Sequence, residues 1–318
     1  MLYKINKSLQ KFMPFMTPMS VVLGILFSEW LNSYVFLVPW IFAFMTFSGS
    51  LGSNFKCLKN VITYPLPLIA CLLVLHLIMP TIALGVGHLV FPGDFYTTTG
   101  LVLSFLIPTG ITSLIWVSIY RGNVALTLSI ILIDTLIAPF IVPYILKIFV
   151  GQAIEMNLWD ITEGLLWMIV FPSLLGMAMN QVTKGKVVET IEPILSPFSK
   201  IGVGLVVGIN SSAIAPYFKA IDTKLLLITG IVLSLAVLSY IIGFATGKLL
   251  KENWETIISL TYNSGMRNIS VGAVIAVTYF PAQVAVPVIV GMLFQQILAS
   301  FSGVLLNRAS DSVVYQNT

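Results

Sequence analysis

Asp134, in "LSIILIDTLIAPF", and Arg267, in "TYNSGMRNIS", are ionisable side chains inside stretches otherwise apolar enough to sit in lipid. Each costs at least about 2.5–3.5 kcal/mol at bilayer depth, so each needs a reason to be there. A buried carboxylate can ligate a hard cation or hold a proton. A buried guanidinium, with five donors and a permanent charge, can hold an anion. Two readings are open: a mutually neutralising pair that staples two helices, and a substrate or ion site in a watery cavity. They overlap, because such a pair can open during a transport cycle.

The neighbours of these charges are poor helix material. Asn263, Ser264 and Gly265 precede Arg267, and Asn268 follows it. All have low helix propensity, and Gly265 can adopt conformations other residues avoid. A matching stretch, "IPTGITSLIW", holds Pro108, which cannot donate to a helical ladder, and Gly110, with hydroxyls from Thr109, Thr112 and Ser113. Both stretches predict interrupted helices. Irregular backbone survives at membrane depth only against protein or a water-filled cavity. Half-helix ends there can coordinate ions or anions.

The elements that hold these residues follow from composition. The chain has 318 residues, 58% hydrophobic and 9% charged, with mean hydropathy +0.99, against about 25% charge for a soluble domain. It reads as an all-α polytopic membrane protein. At about 20 residues per crossing, ten spans are expected: 12–29, 34–53, 62–90, 98–120, 123–150, 160–180, 197–217, 223–247, 254–279 and 282–306. A β-barrel is excluded because the runs are continuously apolar, not alternating.

Of sixteen Lys and Arg, twelve fall on one side of this topology: Lys4, Lys7, Lys11, Lys56, Lys59, Arg121, Lys184, Lys186, Lys200, Lys248, Lys251 and Arg308. Lys147, Lys219 and Lys224 fall on the other, and Arg267 lies within a span. That bias predicts cytoplasmic termini and an inner-membrane, multi-pass protein. The same scatter argues against nucleic acid as a partner, leaving the bilayer and a small molecule; no obligatory protein partner is expected. No small-residue cleavage site follows "MLYKINKSLQKF", so a removable signal is not expected. Cys57 and Cys71 are not expected to pair, since one sits in a charged loop and the other deep in an apolar run. The mixed-charge stretch Lys184 to Pro193 reads as a solvated connection.

The two breaks lie about half a chain apart, each followed by a polar turn and a long apolar span. Paired interruptions of this kind point to an inverted-repeat transporter. An intramembrane enzyme is not expected: His76 and His88 are the only histidines, with no paired aspartates and no metal-ligand spacing. A non-transporting membrane sensor or binding protein remains the alternative of another class. His76 reads as packing or function, His88 as interfacial, and Gln295 and Gln296 as lining a gap or bonding between helices. Trp116 could shape a substrate wall, while Trp30, Trp40 and Trp254 fit an interfacial belt.

At this point the residues resemble a known family. "RGNVALTLSIILIDTLIAPFIVP", Arg121 to Pro143, resembles the fifth span of the bile acid:sodium symporters. "NSGMRNISVGAVIA", Asn263 to Ala276, resembles their ninth, and "HLIMP", His76 to Pro80, their third. The resemblance implies two five-helix inverted repeats whose fourth and ninth helices are broken and cross. It further implies a panel domain (1–60 and 151–220) and a core domain (61–150 and 221–318). Members carry organic anions, usually with sodium.

The departures are in the ion sites. The family's ninth-span glutamate and glutamine are here Asn263 and Arg267. A fourth-span Ser-Asn pair reads Ser113-Leu114, a fifth-span serine is Asp134, and a third-span glutamine falls on Leu75 beside His76. By this resemblance, sodium, the only cofactor-like species expected, is held at Asp134, Thr135 and Asn263, with Ser264 and Ser113 nearby. Arg267 stands in for a second ion and, with Asn268, Thr109, Thr112, His76 and Gln295, binds substrate. Proton coupling at Asp134 and uncoupled transport are the alternatives. The transported compound is not legible.

Overall fold

The computed structural model describes residues 15–53, 55, 65–151, 156–219 and 222–316. The N-terminal basic residues, Lys56, Cys57 and Lys59, and the starts of the first and third expected spans lie outside them. Apart from one antiparallel bridge between Thr109 and Arg267, the regular structure among the described residues is helical. The helices are α1 Phe15–Leu26, α2 Ser28–Ser50, α3 Pro65–Val90, α4 Phe95–Leu106, α5 Ser113–Ile119, α6 Val124–Val150 and α7 Leu158–Val182. They continue with α8 Lys186–Thr190, α9 Glu192–Ala213, α10 Ala215–Lys219, α11 Thr223–Leu249, α12 Trp254–Gly265, α13 Ile269–Tyr279 and α14 Ala282–Gln316.

Among the described residues, seven helices are long and apolar enough to cross a membrane: α2, α3, α6, α7, α9, α11 and α14 up to Ala309. Shorter apolar helices are α1, α4 and α13. The fourth expected span is two pieces, α4 and α5, and the ninth is α12 and α13. At 12 residues, α4 covers about 18 Å against roughly 30 Å of hydrocarbon, so neither half crosses by itself.

Many helix starts are fixed locally. Asp94, Asn123, Asp222 and Asn253 each accept a hydrogen bond from the backbone N–H three residues on, in α4, α6, α11 and α12, as short polar N-caps do. The cap at Asp94 starts α4 several residues ahead of the expected 98, and α14 runs ten residues beyond the expected 306. The Lys184 to Pro193 stretch is not a plain connection. It contains α8, whose Val187 is buried.

Two helices carry a widened π turn, Val74–Ile78 in α3 and Leu166–Val170 in α7, each just before a proline, Pro80 and Pro172. Proline lacks the N–H that the carbonyl four residues back would accept, and its ring crowds that carbonyl. Adding a residue to the turn relieves the conflict. In α3 the carbonyl concerned belongs to His76, so the turn that carries this histidine is irregular because of Pro80.

The helices pack as two groups. α2 lies against α9 and α7. α1 approaches α9 so closely that a Cβ on Gly24 would sit 2.2 Å from the Gly208 carbonyl oxygen. In the other group α4 packs on α3 and α14, and α11 packs on α12 and α14. Contacts of α6 with α7 and of α13 with α9 join the groups. Leu89, Trp40, Ile148 and Trp30 are strongly exposed on the outside, as a lipid-facing surface requires. Trp254 has a further task, since the Lys248 ammonium lies 5.0 Å from its ring centroid.

Candidate functional site

The two breaks meet. Asn268 N–H donates to the Pro108 carbonyl at 2.8 Å and Gly110 N–H to the Met266 carbonyl at 3.2 Å. Thr109 Oγ1 donates towards the Asn263 and Met266 carbonyls, both 3.0 Å away. The irregular backbone therefore satisfies itself across the crossing, which makes it tolerable away from water. Gly110 is required: a Cβ there would lie 2.9 Å from the Arg267 carbonyl oxygen. The ninth-helix break falls later than its residue types suggested. Asn263, Ser264 and Gly265 stay helical, and the interruption is Met266 to Asn268. Asn263 stays because its amide donates to Ser259 O one turn back, at 2.8 Å.

Asp134 does not pair directly with Arg267. Its Oδ1 lies 2.5 Å from His76 Nε2, and its Oδ2 accepts the Thr109 amide at 2.6 Å. The acid thus joins the π turn of α3 to the break after α4. Thr109 links the two residues, bonding the Asp134 carboxylate through its N–H and pairing with Arg267 along the backbone. His76, weighed above as packing or function, is the carboxylate's partner.

Asn263 anchors a separate cluster. Its Oδ1 accepts from Ser113 Oγ at 3.1 Å, and its Nδ2 donates to Thr127 Oγ1 at 3.1 Å. Of the expected ligand set of Asp134, Thr135 and Asn263, the acid and the amide have different side-chain partners. Asp134 is committed to His76 and Thr109, Thr135 faces the cavity described below, and Ser264 Oγ lies 3.7 Å from the buried, free Cys71 Sγ. Thr127 was missed. Asn123, Thr127 and Asp134 fall on one face of α6, at spacings of four and seven residues, and that polar stripe was the signal.

Arg267 is 3% exposed, and none of its three guanidinium nitrogens has a hydrogen-bond partner. Asp134, Cys71 and Tyr240 are the titratable groups around it. Tyr240 packs on Gly265, where a Cβ would be 2.5 Å from the ring. The Arg267 backbone N–H donates to Gln295 Oε1 at 3.0 Å, and Gln296 Oε1 accepts from the Trp116 indole at 3.2 Å. Both glutamines therefore have interhelical partners, yet both also line the cavity.

A cavity of about 620 Å³ lies between the two helix groups. One wall is the crossing: Thr109, Gly110, Thr112, Arg267, Asn268 and Gln295. The opposite wall comes from α2, α7 and α9, including Phe42, Thr46, Ser173, Lys200 and Val203. Pro108, in the first break, Gly265, the last residue of α12, and His76 do not line it. His88 is exposed near the end of α3, bonded to the Leu84 carbonyl. The volume suits an organic molecule of ordinary ligand size.

The model of the sodium bile acid symporter family matches residues 39–221. The chain is 53% identical to "Uncharacterized protein YbaS" of Bacillus subtilis over 93% of this chain and 97% of that protein. It is 26% identical to "Uncharacterized sodium-dependent transporter YocS" of Bacillus subtilis, over 84% of this chain and 81% of that one. It is 27% identical to "Probable sodium/metabolite cotransporter BASS1, chloroplastic" of Arabidopsis thaliana, over 80% of this chain and 62% of that protein.

Proposed function

The chain belongs to the sodium bile acid symporter family, a family of transporters rather than enzymes, and on that premise we propose that it symports a small organic anion with sodium by alternating access. The observation that carries the anion is Arg267. A buried guanidinium with three unpartnered nitrogens is costly, several kcal/mol in the usual case, and an anionic cargo at the cavity would offset that cost. Its permanent charge also lets Arg267 stand in for one coupling ion, since it occupies the position of a family glutamine.

Sodium as the coupling ion is supported by the family and by the printed names of YocS and BASS1. Sodium favours several hard oxygens, and the cluster of Ser113, Asn263 and Thr127 supplies side-chain oxygens beside the crossing. That cluster stands as a candidate beside Asp134. A second reading, with a proton as the coupling ion, has its own observation: the buried Asp134 carboxylate contacts the His76 imidazole and is tied to the break through Thr109.

The proposed architecture is ten transmembrane helices in two inverted five-helix repeats. Residues 1–60 and 151–220 form a panel, and residues 61–150 and 221–318 form a core that rocks against it. The cavity lining runs from the crossing towards Ser53 and Ile119, near the end that carries most Lys and Arg. In an inner membrane with cytoplasmic termini this is an inward-facing state. The test is uptake of a labelled carboxylate into proteoliposomes under a sodium gradient, then under choline with an imposed pH gradient. Uptake that needs sodium supports the first reading. Uptake driven by the pH gradient alone favours the second, and no saturable flux in either condition sinks both.

A further inference from the structure

The α9 residues that line the cavity, Ser199, Lys200, Val203 and Val207, follow the three-and-four spacing of one helix face. The next position on that face is Asn210, in the last turn of α9. It does not line the cavity. It is fully buried, and neither its amide nitrogen nor its amide oxygen has a hydrogen-bond partner. The hydroxyl of Ser211 beside it is buried and unpartnered too. A buried amide that has lost water and gained nothing in return is unfavourable and calls for an explanation. In the proposed topology the end of α9, the start of α7 and the end of α13 share the outer side, where the two helix groups meet. There α13 packs on α9, and the Tyr279 hydroxyl at the end of α13 fills the space where a Cβ on Gly164 of α7 would stand. Tyr120, in the corresponding place after α5, instead stacks within its own group on Trp116 and Tyr262.

We propose that Asn210 is the polar wall of the outward-opening half of the transport path, dry and unmet in the inward-facing state and wetted when the two helix groups part on the outer side. This rests on alternating access as proposed above and adds to it a residue that sets the balance between the two states. The neighbours of Asn210 along α9, Val206, Val207 and Ile209, share one apolar cluster with Val271 and Val274 of α13. Sealed in that company, the amide penalises the inward-facing state. Once water or a polar part of the cargo reaches this turn of α9, the same amide regains partners, so the penalty is relieved by opening outward. An apolar residue reverses the preference. It is at ease in the sealed interface and unfavourable where water enters, and a change that favours one of two states over the other shifts their populations accordingly.

The test is made on the full-length protein. Asn210→Leu keeps the branch at Cγ, and Asn210→Val, which is smaller, guards against crowding. Both should melt about 2–4 °C above the wild type in detergent. Both should nevertheless take up labelled carboxylate under a sodium gradient at least about fivefold more slowly, the scale of one unmet buried amide. Asn210→Ser keeps a hydrogen-bonding group and should hold uptake close to the wild-type rate. In whole cells, with Cys57 and Cys71 replaced by serine, Asn210→Cys should react with a membrane-impermeant maleimide added outside. Wild-type uptake by both apolar variants, melting of both below the wild type, or no reaction of Asn210→Cys in cells that still transport overturns the inference and leaves transport standing. No saturable uptake by the wild type removes alternating access and this inference with it.

Discussion

Asp134 and His76 meet across α6 and α3, with Oδ1 2.5 Å from Nε2, while the other oxygen of the same carboxylate holds the Thr109 amide at the break after α4. One side chain thereby links a proline-widened turn to the point where the two interrupted helices cross. Arg267 is left to a different task.

Removing that carboxylate orphans two buried donors. Asp134→Ala should lower stability by about 3 kcal/mol, read as denaturant or thermal unfolding in detergent. His76→Ala combined with it should cost clearly less than the sum of the two single changes. Additive costs would mean that the pair does not interact as its geometry indicates.

Gly110 is where the crossing has no room. A methyl group there would press on the Arg267 carbonyl at 2.9 Å, so Gly110→Ala should force the two breaks apart. The expected cost is about 1–3 kcal/mol, as for other overpacked sites, with loss of uptake in proteoliposomes. Wild-type stability and transport in that variant would contradict the close approach.

How much of this was legible beforehand depended on which physics each residue obeyed. Composition and run length located the apolar helices, and Pro108 with Gly110 announced the first break, because missing donors and missing side chains act locally. The second break was displaced by three residues. Asn263, a poor helix former in isolation, is held in α12 by bonds to Ser259 one turn back and to Thr127 on another helix, and no local propensity contains the latter. The choice of partner for Asp134 was equally remote. Two buried charges invite pairing on paper, but Pro80 widens the turn of α3 and so bears on where His76 stands, and the Thr109 amide takes one oxygen of the acid. Thr127 was visible only as one position of a polar stripe on α6, which carries meaning once Asn263 is known to face it.

The cluster around Asn263 predicts an ion dependence. If Ser113, Asn263 and Thr127 supply the sodium oxygens, Asn263→Ala should abolish the sodium-dependent part of anion binding, while Asp134→Asn should leave that part in place. Isothermal titration of anion with and without sodium distinguishes the two. A sodium effect lost only with Asp134 would return the site to the acid.

At the far end of α4, Asp94 caps the helix through Thr97 N–H and contacts Lys224 Nζ at 2.7 Å. Partial burial opposes its ionised form, but hydrogen bonds from Lys224 and Thr97 and the Lys224 charge prevail, holding its pKa below the usual aspartate value. A depressed carboxylate stabilises the fold above the unfolded-state pKa of about 3.9, and that contribution fades as pH falls through the lower folded value. Asp94→Asn retains a capping oxygen and should cost well under about 1 kcal/mol at neutral pH, since the ion pair is partly exposed. Asp94→Ala should cost about 1 kcal/mol more. Melting temperatures of the two variants, at neutral pH and about one to two units below the unfolded-state pKa, check both the ranking and the sign.

The central claim is that a buried, unpartnered guanidinium holds the transported anion. Its most direct measurement is carboxylate binding to wild type, Arg267→Lys and Arg267→Gln, with circular dichroism to establish that each variant is folded. Binding should weaken at least about tenfold in the glutamine variant, the scale of a lost charge-assisted contact, with the lysine variant intermediate. A folded Arg267→Gln protein that binds the same carboxylate with wild-type affinity would contradict the account.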